Sequence, residues 1–332
     1  MVRNQTIDIA KFFAALLVIA IHTSLFEDVN GQLYFWFNRV LCRLAVPFFA
    51  ATTGFYLCRA IYRSGSKAVF RQWKKQFRIY MVWSTLYFLF LLPMWLQDGY
   101  MSWGNLVGYL KGMVFSGSYF HLWYILDVLY ALPVFYIVVW FCGPRCWFFL
   151  SVVLWIICAA GYAYSPFFPS FCHPFLDIVC CDFAIVKAQF VILPILLSGG
   201  VMCRCMPQLS SLLGKGKKQM ALVVSAVLLV VEAEMLFTNG QEDGTRIIMI
   251  LPVTFFLLFF LQDIGCGKLP TNIPFGGLSL LVYCFHPMVC LPFNNMGIGT
   301  IAAFAASCAC SILFAYMMVC LKNKINKCPT AN

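Results

Sequence analysis

The chain has 332 residues, of which 62% are hydrophobic, 17% aromatic and only 11% charged. Soluble domains run near 25% charged residues and lack the interior to hide this much apolar surface. That excludes a soluble enzyme, a disordered segment, a disulfide-stapled module, a coiled coil and a DNA-binding domain. The formal net charge of +11 is therefore read by position along the chain, and the composition predicts an all-α polytopic membrane protein.

A helix needs about 20 mostly apolar residues to cross roughly 30 Å of hydrocarbon. Ten stretches meet that standard: 7–26, 36–58, 77–96, 121–142, 146–165, 187–204, 220–238, 245–263, 275–293 and 299–321. Their apolar runs are continuous, not alternating, which excludes a barrel. Residues 105–116, with Gly108, Lys111 and Gly112, are too short to span and read as an interfacial or re-entrant piece. The first span lacks a small-x-small cleavage site after His22, and Asp8 and Lys11 interrupt its start, so it is expected to be retained and not removed as a signal peptide.

Basic residues orient the spans. Arg59, Arg63, Lys67, Arg71, Lys74, Lys75 and Arg78 cluster in the loop expected between spans 2 and 3. With that loop cytoplasmic, Arg3, Arg145, Arg204, Lys215, Lys217, Lys218, Lys268, Lys322, Lys324 and Lys327 fall on the same side. Lys111, Lys187 and Arg246 lie opposite, with Glu27, Asp28, Asp98, Asp177, Asp182, Glu242 and Asp243. Ten spans with both termini cytoplasmic fit this asymmetry. No linker or 20–50-residue repeat interrupts the membrane domain, and residues 323–332 form a short basic tail. Most of the 17 cysteines are scattered inside spans as small apolar fillers, while Cys172, Cys180 and Cys181 lie near an outward loop where a bridge can form. No spacing suggests a metal site.

Ionisable residues inside apolar spans are expensive and mark candidate sites. In span 1, Lys11 and His22 are eleven positions apart, about three whole turns. They share one face, roughly 16 Å apart along the axis, with Asp8 within a turn of Lys11. Snorkelling of Lys11 and a structural bond from His22 is the bland alternative. His286 near the outer end of span 9 and His121 at the outer start of span 4 suggest a hydrated cavity opening outward; His173 receives no role. Arg43 lies well inside span 2 with Arg39 a turn further out, and an intramembrane guanidinium needs an anion or carbonyl, for which Asp127, Glu232 and Glu234 are candidates. Lys74 and Lys75 fit simple anchoring better.

These residues carry a resemblance. Ile7-Asp8-x-x-Lys11-x10-His22, the Arg43-Leu-Ala-Val-Pro-Phe-Phe stretch running to Tyr56, the basic segment into span 3, His121-Leu122-Trp123-Tyr124, and Tyr283-x-x-His286-Pro287 together resemble the membrane-bound acyltransferase 3 family over essentially the whole chain. The flavour of 43–56 and 121–133 is nearest the membrane half of VanT-type serine/alanine racemases. This sequence ends soon after span 10, so the racemase domain itself is expected to be absent.

The resemblance implies an acyltransferase-3-like transmembrane domain over 1–322. It would move an acyl group, acetyl being the expected one, from cytoplasmic acyl-CoA to a hydroxyl or amine of an envelope glycan or other small polar acceptor. The protein would sit in the cell membrane with lipid around it, without nucleic acid or a bound cofactor. His22 takes the histidine position and Lys11 the basic position, where Arg is usual, so the bidentate fork is replaced by a point charge. Asp8, Arg43, Arg78, His121, Trp123 and His286 are expected to bind substrate; no metal is expected. A His base near pKa 7 and cations near the developing oxyanion are what acyl transfer requires. No Ser or Cys nucleophile is flanked by a base, so direct transfer is expected. Two rival readings are a transporter of a small polar solute of amino-acid type, with breaks at Pro93, Pro133 or Pro194, and a non-catalytic ligand-binding membrane protein.

Overall fold

The computed structural model describes residues 4–212, 214–240, 246–263 and 273–327. Arg3, Lys268, Glu242 and Asp243, the side chains of Lys215 and Lys327, and the end of the basic tail lie outside the described residues. Every regular element among the described residues is helical. In chain order these are α1 (Gln5–His22), α2 (Gly31–Tyr34), α3 (Ala45–Ser64), α4 (Ser66–Gln97), α5 (Trp103–Phe115), α6 (Trp123–Phe141), α7 (Pro144–Gly161) and α8 (His173–Cys180). They continue with α9 (Ala184–Lys187), α10 (Leu193–Leu212), α11 (Lys215–Thr238), α12 (Ile250–Asp263), α13 (Phe275–Phe285), α14 (Pro287–Asn295) and α15 (Thr300–Lys327). A wide π turn, Phe35–Leu41, and a tight turn, Cys42–Leu44, join α2 to α3; a second π turn, Ala188–Ile192, joins α9 to α10.

Each of the ten apolar stretches holds helix, but among the described residues eight helical segments are long and apolar enough to span. A ninth candidate is α13 with α14, bent by 46° at His286. Within the stretch 245–263, α12 has 14 described residues, about 21 Å at 1.5 Å per residue. Another departure concerns the basic segment expected as a loop after residue 58. It is helical throughout except at Gly65, whose φ of +53° turns α3 into α4. Arg59 and Arg63 end α3, and the cations from Lys67 to Arg78 lie on the first turns of α4, where Lys74 sits 4.5 Å over the Phe70 ring. The interfacial piece is helix α5, pinned to α4 by Tyr109 donating to Ser84 O (2.7 Å) and Tyr80 donating to Met113 O (2.7 Å).

The chain divides into two compact units, one from its two ends (up to Phe48 and from Leu261 on) and one from Phe49–Phe260. In the first, Asn4 caps α1 by accepting from Thr6 N and Ile7 N, and its amide donates to Gln262 Oε1 at 3.1 Å. The α1 stripe Ile7, Ala14, Val18, Ile19 is buried, with α13 and α15 packed against the helix. Phe12 meets Phe275 edge-on, and Phe285 stacks on Phe314 at 3.9 Å. At the far end of α1, Ala20, Leu25 and Cys42 form a buried knot with Phe26, Phe37 and Phe304 around it.

In the second unit α10 is the central element, packed against α6 and α7, with Leu193–Met202 buried continuously. Small residues let its backbone touch α3: Cys58 Sγ donates to Gly200 O at 3.7 Å, and Gly54 and Gly199 leave no room for a side chain. Glu232, offered by the sequence as an Arg43 partner, serves as a clamp. It accepts from Tyr164 Oη, Ile248 N (2.9 Å) and Met249 N (2.8 Å), satisfying donors at the start of α12. Glu234 is exposed. Cys172, Cys180 and Cys181 are free thiols.

Candidate functional site

In the first unit the structure gathers three of the expected residues at one place. His22 is the last residue of α1, and His286 stands at the break between α13 and α14. Their rings stack with centroids 5.2 Å apart and planes 23° from parallel. Pro287 explains the break: it has no N–H to continue the α13 ladder, and it starts α14 at its first helical position. His286 is fully buried, and its Nδ1 lies 2.8 Å from Tyr283 O and 3.3 Å from Val282 O. A carbonyl can only accept, so Nδ1 carries a proton and donates to the backbone.

Arg43, in the tight turn packed against α1, is near enough for its charge to act on the His22 ring. The π turn just before it is the kind of backbone irregularity that recurs at functional sites. Asn38, buried within that turn, donates to Ala20 O at 2.7 Å, and Asn294 donates to His22 O at 2.9 Å. Two amides thus hold the carbonyls of the last turn of α1 and fix where the His22 ring emerges. Both were missed in the sequence; for Asn38, an Asn inside an apolar run was the available signal. Thr23 ends the helix by bonding back to Ile19 O (3.1 Å).

Lys11 and Asp8 sit near the opposite end of α1, both half-buried. At 1.5 Å per residue Lys11 is roughly 16 Å from His22 along the axis, so the expected pair is split between the two ends of one helix.

The remaining expected residues belong to the second unit. His121, 1% exposed, lies in the turn before α6, boxed by Tyr87 (5.0 Å), Phe120 (5.7 Å) and Tyr119 (5.8 Å). Trp123 offers its ring face to Lys187 Nζ at 4.9 Å. Arg78 is exposed on α4. Asp127 is fully buried on α6 and feels the charges of Lys187 and Arg246. Among the described residues no three His, Cys, Asp or Glu side chains come together as metal ligands.

The first-unit site therefore offers a stacked imidazole pair with one Nδ1 proton fixed, and a guanidinium beside it. Residues 4–320 match the acyltransferase domain family. An amino-acid racemase of Enterococcus faecalis is 33% identical over 168 residues, 49% of this chain and 23% of the relative. A second from the same organism is 25% identical over 97% of this chain and 47% of its own length, and a serine/alanine racemase of Enterococcus gallinarum is 25% identical over 86% and 40%. The chain spans less than half the length of these relatives. No solved structure matches. With the match running from the cap of α1 into the last turns of α15, the chain belongs to the membrane-bound acyltransferase 3 family.

Proposed function

We propose that the protein is a multi-pass cell-membrane acyltransferase that passes an acyl group from cytoplasmic acyl-CoA to a hydroxyl or amine of a small polar or glycan acceptor on the outer side. His22 takes the proton from the acceptor hydroxyl as its oxygen attacks the thioester carbonyl. The C–O bond forms, the C–S bond breaks, and the departing thiolate recovers the proton from the imidazolium. Arg43 faces the developing oxyanion, and the stacked His286, its Nδ1–H held by Tyr283 O, positions the His22 ring. Lys11 and Asp8, at the other end of α1, serve the charged part of the donor; in the second unit, Arg78 and its neighbours on α4 draw coenzyme phosphates to the protein by long-range attraction. Acetyl is the expected acyl group, and an envelope polysaccharide the expected acceptor.

The observation that carries this reading is the His22–His286 stack beside Arg43. Removal of the base should cost about 10²–10⁴ in rate. Membranes holding equal amounts of inserted wild type and His22→Ala are supplied with radiolabelled acetyl-CoA, and label on envelope glycans is counted. Full transfer by His22→Ala overturns the assignment. The broken α13–α14 span also suits a transporter, since interrupted helices build mid-membrane sites. Concentrative uptake into proteoliposomes without acyl-CoA would favour that second reading.

A further inference from the structure

The second unit contains a charge cluster that the acyl-transfer reading does not use. Asp127 is 0% exposed one turn into α6, and neither carboxylate oxygen has a hydrogen-bond partner among the described residues. A buried carboxylate without donors is one of the costliest groups a fold can keep. The charged groups acting on it are Lys187, Arg246 and, with opposite sign, Asp182. Lys187, itself buried, lies over the Trp123 ring at 4.9 Å and 3.7 Å from Asp182, whose side chain is almost fully exposed. The Arg246 guanidinium lies 3.5 Å over the Tyr162 ring, and its buried Nε also has no hydrogen-bond partner among the described residues. Arg246 holds this position at a φ of +60°, a conformation that is uncommon outside glycine. Lys187 and Arg246 are two of the three cations that the sequence assigns to the outer side.

We propose that this cluster binds a zwitterion, a primary ammonium and an anionic group a few bonds apart. A simple cation entering here would meet two cations, and a simple anion would meet Asp127. A ligand with both charges complements the whole set: its N–H groups donate to the bare Asp127 oxygens, and its anionic group accepts from Arg246 Nε–H and Lys187. Two sources supply this chemistry, a free solute and the phosphoethanolamine headgroup of a lipid. The headgroup source gains weight from the neighbouring surface. Phe171, Phe175 and Ile178 project at 81%, 53% and 58% exposure from the segment leading into and along α8, and the exposed Phe183 and Ile185 follow Asp182. An aromatic-rich short helix of this kind lies along a membrane interface.

The full-length protein in detergent is titrated with β-alanine, phosphoethanolamine and phosphocholine, following heat of binding and Tm. The expected result is saturable binding of the first two. Phosphocholine, whose quaternary nitrogen has no N–H, should bind at least tenfold more weakly, the scale of one lost charge-assisted hydrogen bond. Asp127→Asn should abolish binding while melting close to the unliganded wild type, because it exchanges one buried, unpartnered polar group for another of the same shape. Lys187→Gln should weaken binding with Asp127 intact, and it decides the matter if Asp127→Asn fails to insert. In nanodiscs, phosphatidylethanolamine raising Tm over phosphatidylcholine for wild type but not for Asp127→Asn identifies the lipid as source; equal Tm values with retained β-alanine binding identify a free solute. The proposal is overturned if neither zwitterion binds, if phosphocholine binds as well as phosphoethanolamine, if both variants bind like wild type, or if Asp127→Asn inserts but melts well below wild type, which marks a structural charge.

Discussion

The contact between α3 and α10 makes a demand whose size follows from geometry. A Cβ added at Gly54 would lie 2.0 Å from Leu196 O and 2.7 Å from Leu196 C; one added at Gly199 would lie 2.1 Å from Ala51 O and 2.8 Å from Phe55 N. Carbon meets a carbonyl oxygen at about 3.3 Å, so Gly54→Ala must part the backbones by about 1.3 Å. The obstacles are main-chain atoms, and no rotamer change clears them. A gap of about 1 Å forfeits a quarter to a half of the dispersion along the seam, where Leu196 and Leu197 are fully buried. Overpacking costs about 1–3 kcal/mol, and a backbone obstacle belongs at the upper end, less about 1 kcal/mol regained from better helix propensity. A net loss of about 2 kcal/mol corresponds, in a chain of this length, to a Tm lower by about 3 °C, measured by thermal unfolding of purified protein in detergent. Gly54→Ala plus Gly199→Ala should cost less than the sum, because the first substitution already opens the space the second needs. Gly108→Ala on α5, with nothing within 4 Å of the new methyl, is the control and should be neutral or slightly stabilising. A wild-type Tm for Gly54→Ala, or strict additivity of the pair, refutes backbone contact at this seam.

Other outcomes follow from the first unit. His286→Ala should lower the transfer rate about 10–100-fold, and His22→Ala with His286→Ala should be no slower than His22→Ala alone, since His286 acts through His22; multiplicative losses in labelled-acetyl transfer would make the two rings independent. Lys11→Met should raise the KM for acyl-CoA with little change in kcat, and Lys11→Arg should restore it; a kcat loss of the size seen for His22→Ala would place Lys11 at the reacting atoms. Asp28, in the loop after α1, accepts from Thr300 N at 2.9 Å and from the Thr300 hydroxyl, and these bonds hold its carboxyl below the ordinary aspartate range. A depressed carboxyl gives stability present above the unfolded value and lost as pH falls through the folded one. Asp28→Ala should therefore melt lower than wild type at pH 7, and the gap should close below about pH 4; a gap unchanged in acid would deny the carboxylate its role as cap of α15.

Hydropathy located every apolar segment but measured their lengths poorly, and the reasons are local. The stretch 245–263 is apolar enough to count as a span, yet α12 starts only at Ile250, just after Ile248 and Met249, whose N–H groups Glu232 from α11 binds. That cap comes from another helix and leaves no mark near residue 250. The basic segment read as a loop is helical for the opposite reason. Arg71, Lys74, Lys75 and Arg78 are good helix formers, and Ala68 and Val69 among them are buried. Positive-inside counting sees the charges and is blind to the helix that carries them. Gly65 is the one residue in the segment whose conformation the turn demands.

The site shows the same division between what periodicity can and cannot carry. Turn arithmetic along α1 put Lys11 and His22 on one face, and a single helix fixes both that face and the roughly 16 Å between them. A base works within about 3 Å of its proton, so the two cannot serve one reacting atom, and the partners of His22 have to come from elsewhere in the chain. They do: Arg43 arrives by way of a π turn, and His286 by way of a helix broken at Pro287, 264 residues away in sequence. Neither irregularity has a hydrophobic period, because each interrupts one. What the sequence displayed was the chemical cost, a histidine, an arginine and an asparagine, Asn38, kept inside apolar runs. The structure shows where that cost is met, at the last turn of α1, whose two amide-bound carbonyls leave the His22 ring one place to go.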